Sequence, residues 1–275
     1  MAKRWILPAS LALLLAGWGL SRPAAVAPMA TFNIENFPRE PTQPRRAARA
    51  IGALGVPVVA VQEIRSPERL LAAMHQELGT HWSYVTHRGS SHRVGLLVDS
   101  RAYRIVDAKV HDEVRVLPGL RPALEVELQP RTGLASQAVF VVHLKSGPEG
   151  EAVRRAQLQA LAPIVAARRI PVTVLGDFNP VGHRDRRDLD RFAMAAGLRW
   201  NSAQLGCTAY FPDRGRCRGV ALDHVMSRVP GSVIALGACA TEGCDPGAQC
   251  PVGEVSDHCP VVFSPAPRRS LPMGE

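Results

Sequence analysis

Lysine, asparagine and aromatic residues are scarce in this chain of 275 residues. The sequence has three lysines and four asparagines, and aromatic residues make up 5% of it. So few aromatic side chains argue against extensive base-stacking platforms or membrane-inserting aromatic loops. Long apolar runs are also missing. The run from Trp5 to Leu20 would span roughly 24 Å as a helix, against a bilayer core of about 30 Å. The sequence therefore excludes a protein built from several membrane spans.

The overall composition is that of a globular protein. Hydrophobic residues make up 46% of the chain and charged residues 21%, which excludes a disordered polymer or a collagen-like fibre. The length predicts one large domain or two small ones. The formal net charge is +9, and a positive balance favours polyanionic partners such as nucleic acid or anionic lipid. Nearly all the basic residues are arginines, a skew that codon bias also produces, so charge alone does not identify the ligand.

The N-terminal residues have the layout of an export signal. Two basic residues precede the apolar run, and the small residues Ala25-Val26-Ala27 follow it, the order found in secretory signals. We therefore predict a signal peptide or N-terminal anchor over residues 1–27, a catalytic domain over 28–266 and a tail over 267–275. Cleavage after Ala27 would leave Pro28 first, which signal peptidases tolerate poorly, so the anchor alternative stays open. Export to the periplasm or medium is expected, with membrane contact only through an uncleaved segment.

Cysteine is absent from the first 206 residues. All six cysteines fall in the last 70 residues, at Cys207, Cys217, Cys239, Cys244, Cys250 and Cys259. An even number in an exported chain indicates disulfides, although six cysteines allow 15 pairings. We predict a Cys207–Cys217 pair around a hairpin-length loop, at least one pair among the next three cysteines, and Cys259 as a buried free thiol. Zinc binding by Cys244, Cys250 and His258 is the less favoured alternative because the spacing matches no tight zinc knuckle.

Several short apolar runs end at clusters of polar residues. Runs of this kind predict strands buried on both faces, and residues spaced three to four apart predict helices between some of them. The mixture indicates a layered α/β sandwich with largely antiparallel sheets. The predicted strands are Met29–Ile34, Pro57–Val61, Ala138–Val142, Pro171–Leu175, Val220–Leu222 and the pair Glu254-Val255, and the predicted helices are Pro44–Leu54, Pro67–Leu78 and Glu149–Ala167.

The polar clusters share one chemical character. Any one of them alone is best explained as a turn cap, but six complementary clusters at strand ends predict one polar pocket. The side chains that would meet there are Asn33, Glu63, His143, Asp177, Asn179, Asp223, Asp257 and His258.

The carboxylates in these clusters suit a hard cation. Glu63, Asp177 and Asp257 have no basic partner within their own motifs, and oxygen ligands of this type bind Mg²⁺ most naturally, or Mn²⁺ or Ca²⁺. Histidines such as His143 and His258 exchange protons near neutral pH, and an adjacent aspartate orients such a ring. Together with neutral amide donors to phosphate oxygens, these groups predict metal-assisted attack of water on a phosphoester.

The order of the motifs resembles that of the endonuclease/exonuclease/phosphatase superfamily, which has the DNase-I-like fold. The resemblance spans about residues 29–263 and implies an exported bacterial-type member with a four-layer α/β/β/α sandwich, two mostly antiparallel sheets flanked by helices. The motifs that carry it are Thr31-Phe32-Asn33-Ile34-Glu35-Asn36-Phe37, Val61-Gln62-Glu63-Ile64, His143-Leu144-Lys145-Ser146, Gly176-Asp177-Phe178-Asn179-Pro180, Leu222-Asp223-His224-Val225 and Ser256-Asp257-His258-Cys259-Pro260-Val261.

The resemblance also implies roles for the residues. Glu63 would bind the catalytic Mg²⁺, Asn33 would support the ion or the phosphate, and Asp257 would hold the metal or orient the site. Asp177 and Asn179 would position the attacking water and the phosphate.

Proton transfer is assigned by the same resemblance. His258 paired with Asp223 would be the general base, and His143 a phosphate contact or the general acid. Secreted DNases place a carboxylate before the strand predicted here at Val94–Val98, whereas this chain has His92 there. The neighbouring Arg93 is the expected phosphate contact.

The substrate is predicted from arginine clusters. Three lie in or near the motifs, at 183–187, 214–218 and 45–49, and basic groups beside a phosphodiester site bind nucleic-acid backbone without sequence preference. We expect a low-specificity nuclease acting on DNA or RNA, with no stable protein partner. The alternatives are a phospholipid or small phosphate-ester hydrolase of the same superfamily, and an inactive member that serves as a binding module.

Overall fold

The computed structural model describes residues 26–89, 91–133, 135–251 and 255–266. The predicted N-terminal signal or anchor, apart from its last two residues, lies outside these ranges, as do the C-terminal tail and Glu254. No helix within the described ranges combines the length and hydrophobicity needed to cross a bilayer.

The first of two six-stranded sheets has the order β13-β14-β1-β2-β4-β3. Its β1 and β2 strands are parallel and its other neighbours are antiparallel. Its strands are β1 (Met29–Phe37), β2 (Val58–Ile64), β3 (Trp82–Thr86), β4 (Arg93–Asp99), β13 (Gly231–Ala235) and β14 (Val261–Pro265).

The second sheet has the order β5-β6-β7-β8-β12-β9. Again one pair, β7 and β8, is parallel and the others are antiparallel. Its strands are β5 (Tyr103–His111), β6 (Ala123–Pro130), β7 (Gln137–His143), β8 (Val172–Asp177), β9 (Arg199–Trp200) and β12 (Asp223–Ser227), and a separate hairpin is formed by β10 (Ala209–Asp213) and β11 (Arg216–Val220).

Helices cover the outer face of each sheet. The apolar residues of α1 and α2 pack on the first sheet, those of α3 and α4 pack on the second, and a third hydrophobic cluster fills the space between the sheets. This is the predicted four-layer sandwich. The helices are α1 (Gln43–Ala53), α2 (Pro67–Leu78), α3 (Glu151–Ala166), α4 (His183–Ala196) and the short α5 (Ala238–Thr241).

Sequence periodicity accounts for most of these elements. The predicted helices agree with α1, α2 and α3 to within one or two residues. Helix α4 was missed because its first turns are almost all charged, although Leu189, Phe192 and Ala193 follow helical spacing and are buried. All six residues of β8 are buried, as expected of a strand covered on both faces.

The fold begins before the predicted domain boundary at residue 28. Val26 and Ala27 are buried in the cluster between the sheets. The backbone N–H of Ala27 donates to Gln137 Oε1 at 3.0 Å. Both residues therefore pack as part of the sandwich.

The cysteines pair differently from the prediction. Cys207 bonds to Cys244, Cys217 to Cys250 and Cys239 to Cys259. The predicted Cys207–Cys217 bridge is wrong because both residues lie on the hairpin side and each faces the 238–250 segment packed against it. The predictions of a pair among the three middle cysteines and of a free Cys259 are also wrong, because each middle cysteine faces a cysteine outside its own segment and Cys239 lies against Cys259. No cysteine is left for zinc.

Candidate active site

Two aspartates and one histidine lie side by side at one edge of the second sheet. His143 ends β7, Asp177 ends β8 and Asp223 begins β12. In the strand register, His143 is opposite Asp177 and Asp177 is opposite Asp223. The sequence predicted that Asp223 would follow a strand. It instead starts one that runs antiparallel to β8, which brings it to the same edge.

Close backbone approach makes this edge possible. Gly176 has a φ of 141°, and a Cβ at this position would lie 2.1 Å from the carbonyl oxygen of Val142. Only glycine avoids that clash. The Gly-Asp-Phe-Asn motif therefore needs its glycine so that β7 and β8 can place His143 and Asp177 together.

The first sheet contributes Asn33 and Glu63. Asn33 lies opposite Gln62 where β1 and β2 run in parallel, so Glu63 follows at the same edge. Asn33 Nδ2 donates to Glu63 Oε1 at 3.2 Å and to Asp177 Oδ2 at 3.1 Å. One amide group thus links the carboxylates of the two sheets. Its Oδ1 accepts the backbone N–H of Glu35 at 3.1 Å.

Uncommon backbone conformations gather around this amide. Glu35, Asn36, Glu63 and Asn179 have φ values of 33°, 53°, 63° and 53°. Non-glycine residues rarely adopt positive φ, and such residues often mark functional sites. Local contacts hold them in place, since Asn36 N–H donates to Glu63 Oε2 and Asn179 N–H donates to Asp177 Oδ1.

A histidine–aspartate pair faces the linked carboxylates. His258 Nδ1 lies 2.7 Å from Asp223 Oδ2. Thr208 Oγ1 donates to the same carboxylate oxygen at 2.8 Å and accepts the backbone N–H groups of Leu222 and Asp223, each at 2.9 Å. Asp223 and Thr208 are fully buried. The pair is therefore fixed on the aspartate side, which leaves the imidazole Nε2 of His258 for chemistry.

The segment that carries His258 is tied to its surroundings. Ser256 Oγ donates to the backbone oxygen of Asn33 at 2.7 Å and accepts the N–H of His258 at 3.0 Å. Asp257 is exposed next to His258, and its N–H donates to Glu35 Oε2 at 3.3 Å. Of the predicted metal ligands, Asp257 thus lies at the mouth of the pocket, and Glu63 and Asn33 lie deeper.

Burial and crowded charges change the proton affinities of the site. Burial, with the nearby carboxylate of Asp223, raises the pKa of Asp177 to about 7. Burial alone would lower the pKa of His258, but the Asp223 carboxylate beside it prevails and raises that pKa to about 10. Burial, reinforced by the charge of Arg121, puts the pKa of His143 well below its usual value. His143 is therefore a neutral imidazole, although His143 Nε2 lies 3.5 Å from Asp177 Oδ2.

The donor set fits a hard divalent cation. Asp177, Asp223 and His258 each offer a ligand atom, and these three atoms lie within 4.8 Å of one another. Asp223 Oδ1 is buried and has no hydrogen-bond partner within the described ranges. Carboxylate oxygens crowded in this way are stabilised by a bound cation, and Glu63 is joined to the same group through Asn33.

Arginine reaches the site from a position that the sequence analysis did not single out. The carboxylates of Glu63 and Asp177 act electrostatically on Arg121, whose pKa burial lowers, and its Nε donates to the backbone oxygen of His92 at 3.4 Å. The predicted phosphate contact, Arg93, begins β4 opposite Ile64, and its charge acts on Tyr84 and His87.

His92 lies at the position before β4 that corresponds, by the resemblance described above, to a carboxylate in secreted DNases. Its Nε2 lies 2.7 Å from Asn36 Oδ1, so it contacts the strained turn at Asn36, and its charge also acts on His143. The sequence analysis did not identify Arg121, because the residues before β6 form no recognisable motif. Only the order of the strands in the sheets brings Arg121 near Glu63.

The fold and site define a class of phosphoester-hydrolysing proteins with a double-sheet sandwich. The sequence profile of the Endonuclease/Exonuclease/phosphatase family matches residues 30–258. The chain therefore belongs to this family, whose members are hydrolases acting on phosphoester bonds. A search of curated protein sequences found no match.

Solved structures share the fold at low sequence identity. D. rerio TDP2 complexed with single strand DNA product is 15% identical, with a TM-score of 0.65 over 86% of this chain and 97% of that chain. The family protein from Bacteroides vulgatus is 17% identical, with a TM-score of 0.64 and coverage of 86% and 97%. The human Nocturnin catalytic domain with bound sulfate anion is 17% identical, with a TM-score of 0.63 and coverage of 86% and 93%.

Proposed function

We propose that this protein is a divalent-cation-dependent phosphodiester hydrolase, and more specifically an exported nuclease of low sequence specificity. The observation that carries the proposal is the pairing of His258 with Asp223 at 2.7 Å beside the Asn33-linked carboxylates of Glu63 and Asp177. A proton-transfer group and a cation-binding group then share one pocket, as metal-assisted attack of water on a phosphoester requires.

Cation binding is assigned to the acidic side chains. Glu63 and Asp257, the ligands predicted from the sequence, are proposed to hold Mg²⁺, with Mn²⁺ or Ca²⁺ as substitutes. Asp177 is a further proposed ligand, because its carboxylate lies in the cluster of donor atoms described above. When bound, such an ion polarises a phosphate oxygen and lowers the pKa of bound water. Asn33 is assigned a positioning role beside its predicted metal role, because its Nδ2 donates to two of these carboxylates.

Proton transfer is assigned to His258. The Asp223 carboxylate raises the pKa of His258 to about 10, and a cation held by the neighbouring carboxylates would oppose that charge and favour the neutral ring. In its neutral form, His258 Nε2 accepts the proton that the attacking water loses, and Asp223 stabilises the resulting imidazolium and holds the ring in one tautomer. Thr208 keeps Asp223 in place through its hydroxyl group.

The remaining side chains bind and orient the phosphate. Asn179 and the neutral imidazole of His143 are proposed hydrogen-bond donors to phosphate oxygens, and Asp177 also orients the attacking water. Arg121 supplies a positive charge near Glu63 and Asp177, and we assign it the phosphate contact that was predicted for Arg93. Arg93 stays a second candidate.

Nucleic acid is the proposed substrate. The net charge of +9 favours a polyanion. The similarly folded D. rerio TDP2 was solved with a single-strand DNA product. Three disulfides are compatible with an oxidising compartment, which supports export to the periplasm or medium.

The test is conversion of supercoiled plasmid by the purified, oxidised protein. We expect nicking with Mg²⁺, none with EDTA, and none from Asp177→Ala. Folded protein that leaves plasmid and RNA intact in Mg²⁺ would overturn the nuclease proposal. Sphingomyelin and phosphoinositide vesicles then serve as substrates, and hydrolysis there would establish the phospholipid alternative. If neither these substrates nor a panel of small phosphate esters is hydrolysed, the inactive binding module is the alternative that stands.

A further inference from the structure

The arginine cluster at 183–187, which follows the Gly-Asp-Phe-Asn motif, contains both buried and exposed side chains. Asp185 turns inward and binds the buried Arg154 with both oxygens, at 2.7 and 2.8 Å. Arg186 also turns inward, over the ring of Trp200 and onto the backbone oxygen of Ala203. These residues serve the fold. Arg184 and Arg187 remain exposed.

The exposed arginines line a polar cleft between α3 and α4. Its volume is about 360 Å³. Positions 184, 187 and 191 follow one face of α4, since residues three and four apart are neighbours on a helix, and α3 adds a fourth arginine. The cleft is lined by Glu151, Arg155, Arg184, Arg187, Asp188 and Arg191.

The positive charge of this cleft is only partly neutralised. Asp188 binds both Arg155 and Arg191 at 2.8 Å, whereas Glu151 is 3.9 Å from Arg184. Arg187 forms no ion pair with any residue in the described ranges. Four guanidinium groups therefore face two carboxylates, which leaves two positive charges open to solvent. The side chain of Arg184 is 73% exposed.

The other arginine clusters keep less uncompensated charge. Arg45 and Arg49 share Glu77, each at less than 3 Å. In the β10–β11 hairpin, Arg216 lies 3.4 Å from Asp245, and Arg218 lies 3.3 Å from Asp213. The α3–α4 cleft is thus the cluster with the clearest uncompensated charge among those that the sequence singled out.

We propose that the α3–α4 cleft binds the phosphodiester backbone of nucleic acid away from the scissile bond. Guanidinium groups match phosphate oxygens in geometry as well as charge, and the polar lining offers nothing to an apolar ligand. Helix α4 begins at His183, four residues after Asn179, so a strand leaving the catalytic pocket can run along it. This inference rests on the proposed nuclease function, and it adds a second contact that holds long substrates.

The test separates this cleft from the catalytic pocket. The variant is Arg184→Gln/Arg187→Gln, which leaves the buried Asp188 with both of its partners. The matched control is Arg69→Gln/Arg169→Gln, two exposed arginines outside the three predicted arginine clusters. Binding of a fluorescent single-stranded DNA 30-mer is measured in EDTA over a range of salt, and hydrolysis of bis(p-nitrophenyl) phosphate is measured in Mg²⁺.

We expect the cleft variant to bind the 30-mer more weakly and with a shallower salt dependence. Two lost phosphate contacts reduce the slope of log affinity against log salt by roughly 1.4 for single strands. Hydrolysis of the small diester stays at the wild-type rate, and the control variant keeps the wild-type slope. Equal slopes for the wild type, the variant and the control would overturn the cleft proposal.

Failure of the cleft proposal and failure of the proposed function give different results. A wild-type protein that binds the 30-mer through the cleft but cleaves no nucleic acid would overturn the nuclease proposal alone. Normal cleavage with an unchanged salt slope would overturn the cleft alone. If the double variant unfolds, the single Arg187→Gln decides, because Arg187 has no ion pair to lose, and its expected change in slope is roughly 0.7.

Discussion

The two halves of the site are built by different means. His143 and Asp177 end β7 and β8, and Asn33 and Glu63 lie where the regular pairing of β1 with β2 is interrupted. Each of these four strands is packed in a hydrophobic cluster and hydrogen-bonded in a sheet. The half that carries Thr208 and His258 belongs to the last quarter of the chain, where all three disulfides lie.

The disulfides stand beside the residues that orient the histidine. Cys207 precedes Thr208 and Cys259 follows His258, and the N–H of Cys259 donates to the oxygen of Thr208 at 2.7 Å. The local apolar cluster is small and consists largely of cysteines around Tyr210. A segment with so little core of its own depends on cross-links for its order. The comparison suggests that packing fixes the cation-binding half and covalent bonds fix the proton-transfer half.

The largest expected loss of activity comes from a substitution in the cation-binding half. Asp177→Asn keeps the volume of the side chain but removes the charge that Asn33 and Asn179 hold in place. We expect kcat/KM for phosphodiester hydrolysis to fall by at least about 10³-fold with little change in melting temperature. Asp190→Asn, an exposed acid on α4, is the matched control and keeps full activity. A fall of less than tenfold for Asp177→Asn would remove this residue from the proposed machinery.

The next effect concerns the hydroxyl group behind Asp223. Thr208→Val is nearly isosteric but loses the hydrogen bonds to Asp223 Oδ2 and to two backbone N–H groups. Because His258 is oriented through Asp223, kcat should fall by roughly 10- to 100-fold with KM little changed. Thr208→Ser restores the hydroxyl and should recover most of kcat. Equal losses in both variants would contradict a role specific to the hydroxyl group, because Thr208→Ser keeps that group and Thr208→Val does not.

A pair of disulfide variants tests the comparison directly. Cys239→Ser/Cys259→Ser removes the bridge next to His258, and Cys217→Ser/Cys250→Ser removes the bridge at the hairpin. The sequence separations are 20 and 33 residues, so each loss destabilises the fold by about 3 kcal/mol. We expect similar falls in melting temperature. Below both melting temperatures, only the first variant should lose activity, by about tenfold. Equal activity in both variants would contradict the proposed covalent support of the proton-transfer half.

The smallest effect concerns the arginine beside the pocket. Arg121→Gln removes a charge that acts on Glu63 and Asp177, and we expect KM to rise by about fivefold with kcat less affected. Arg93→Gln is the companion variant, and its KM should stay near the wild-type value. The reverse ranking would return the phosphate contact to Arg93.

Local sequence was sufficient to predict which residues lie in the cation-binding half. Buried strands and their polar ends are encoded within short windows, and the ends of neighbouring strands meet at one edge of a sheet. The sequence therefore predicted that Asn33, Glu63 and Asp177 would lie close together, and hydrogen bonds from Asn33 join them. Asp223 was placed correctly for a partly wrong reason, since an antiparallel strand begins where a parallel one ends.

Features that depend on distant segments were not predictable from the sequence. The disulfide pairing follows from how the hairpin packs on the 238–250 segment, and hairpin-length spacing between Cys207 and Cys217 gave the wrong bridge. Arg121 lies before a strand with no motif of its own. The division of the 183–187 motif into buried and exposed side chains required the positions of Arg154 and Trp200.

A double-mutant cycle measures whether the two halves of the site act as one catalytic unit. Glu63→Gln represents the cation-binding half and His258→Ala represents the proton-transfer half. The measured quantity is kcat for bis(p-nitrophenyl) phosphate in Mg²⁺. Each single variant should lose roughly 10²- to 10⁴-fold. We predict that kcat of the double variant is no more than about threefold below kcat of the less active single variant, because the effects of substitutions within one catalytic unit are not additive. Losses that multiply would show that the two halves act independently and would contradict this account.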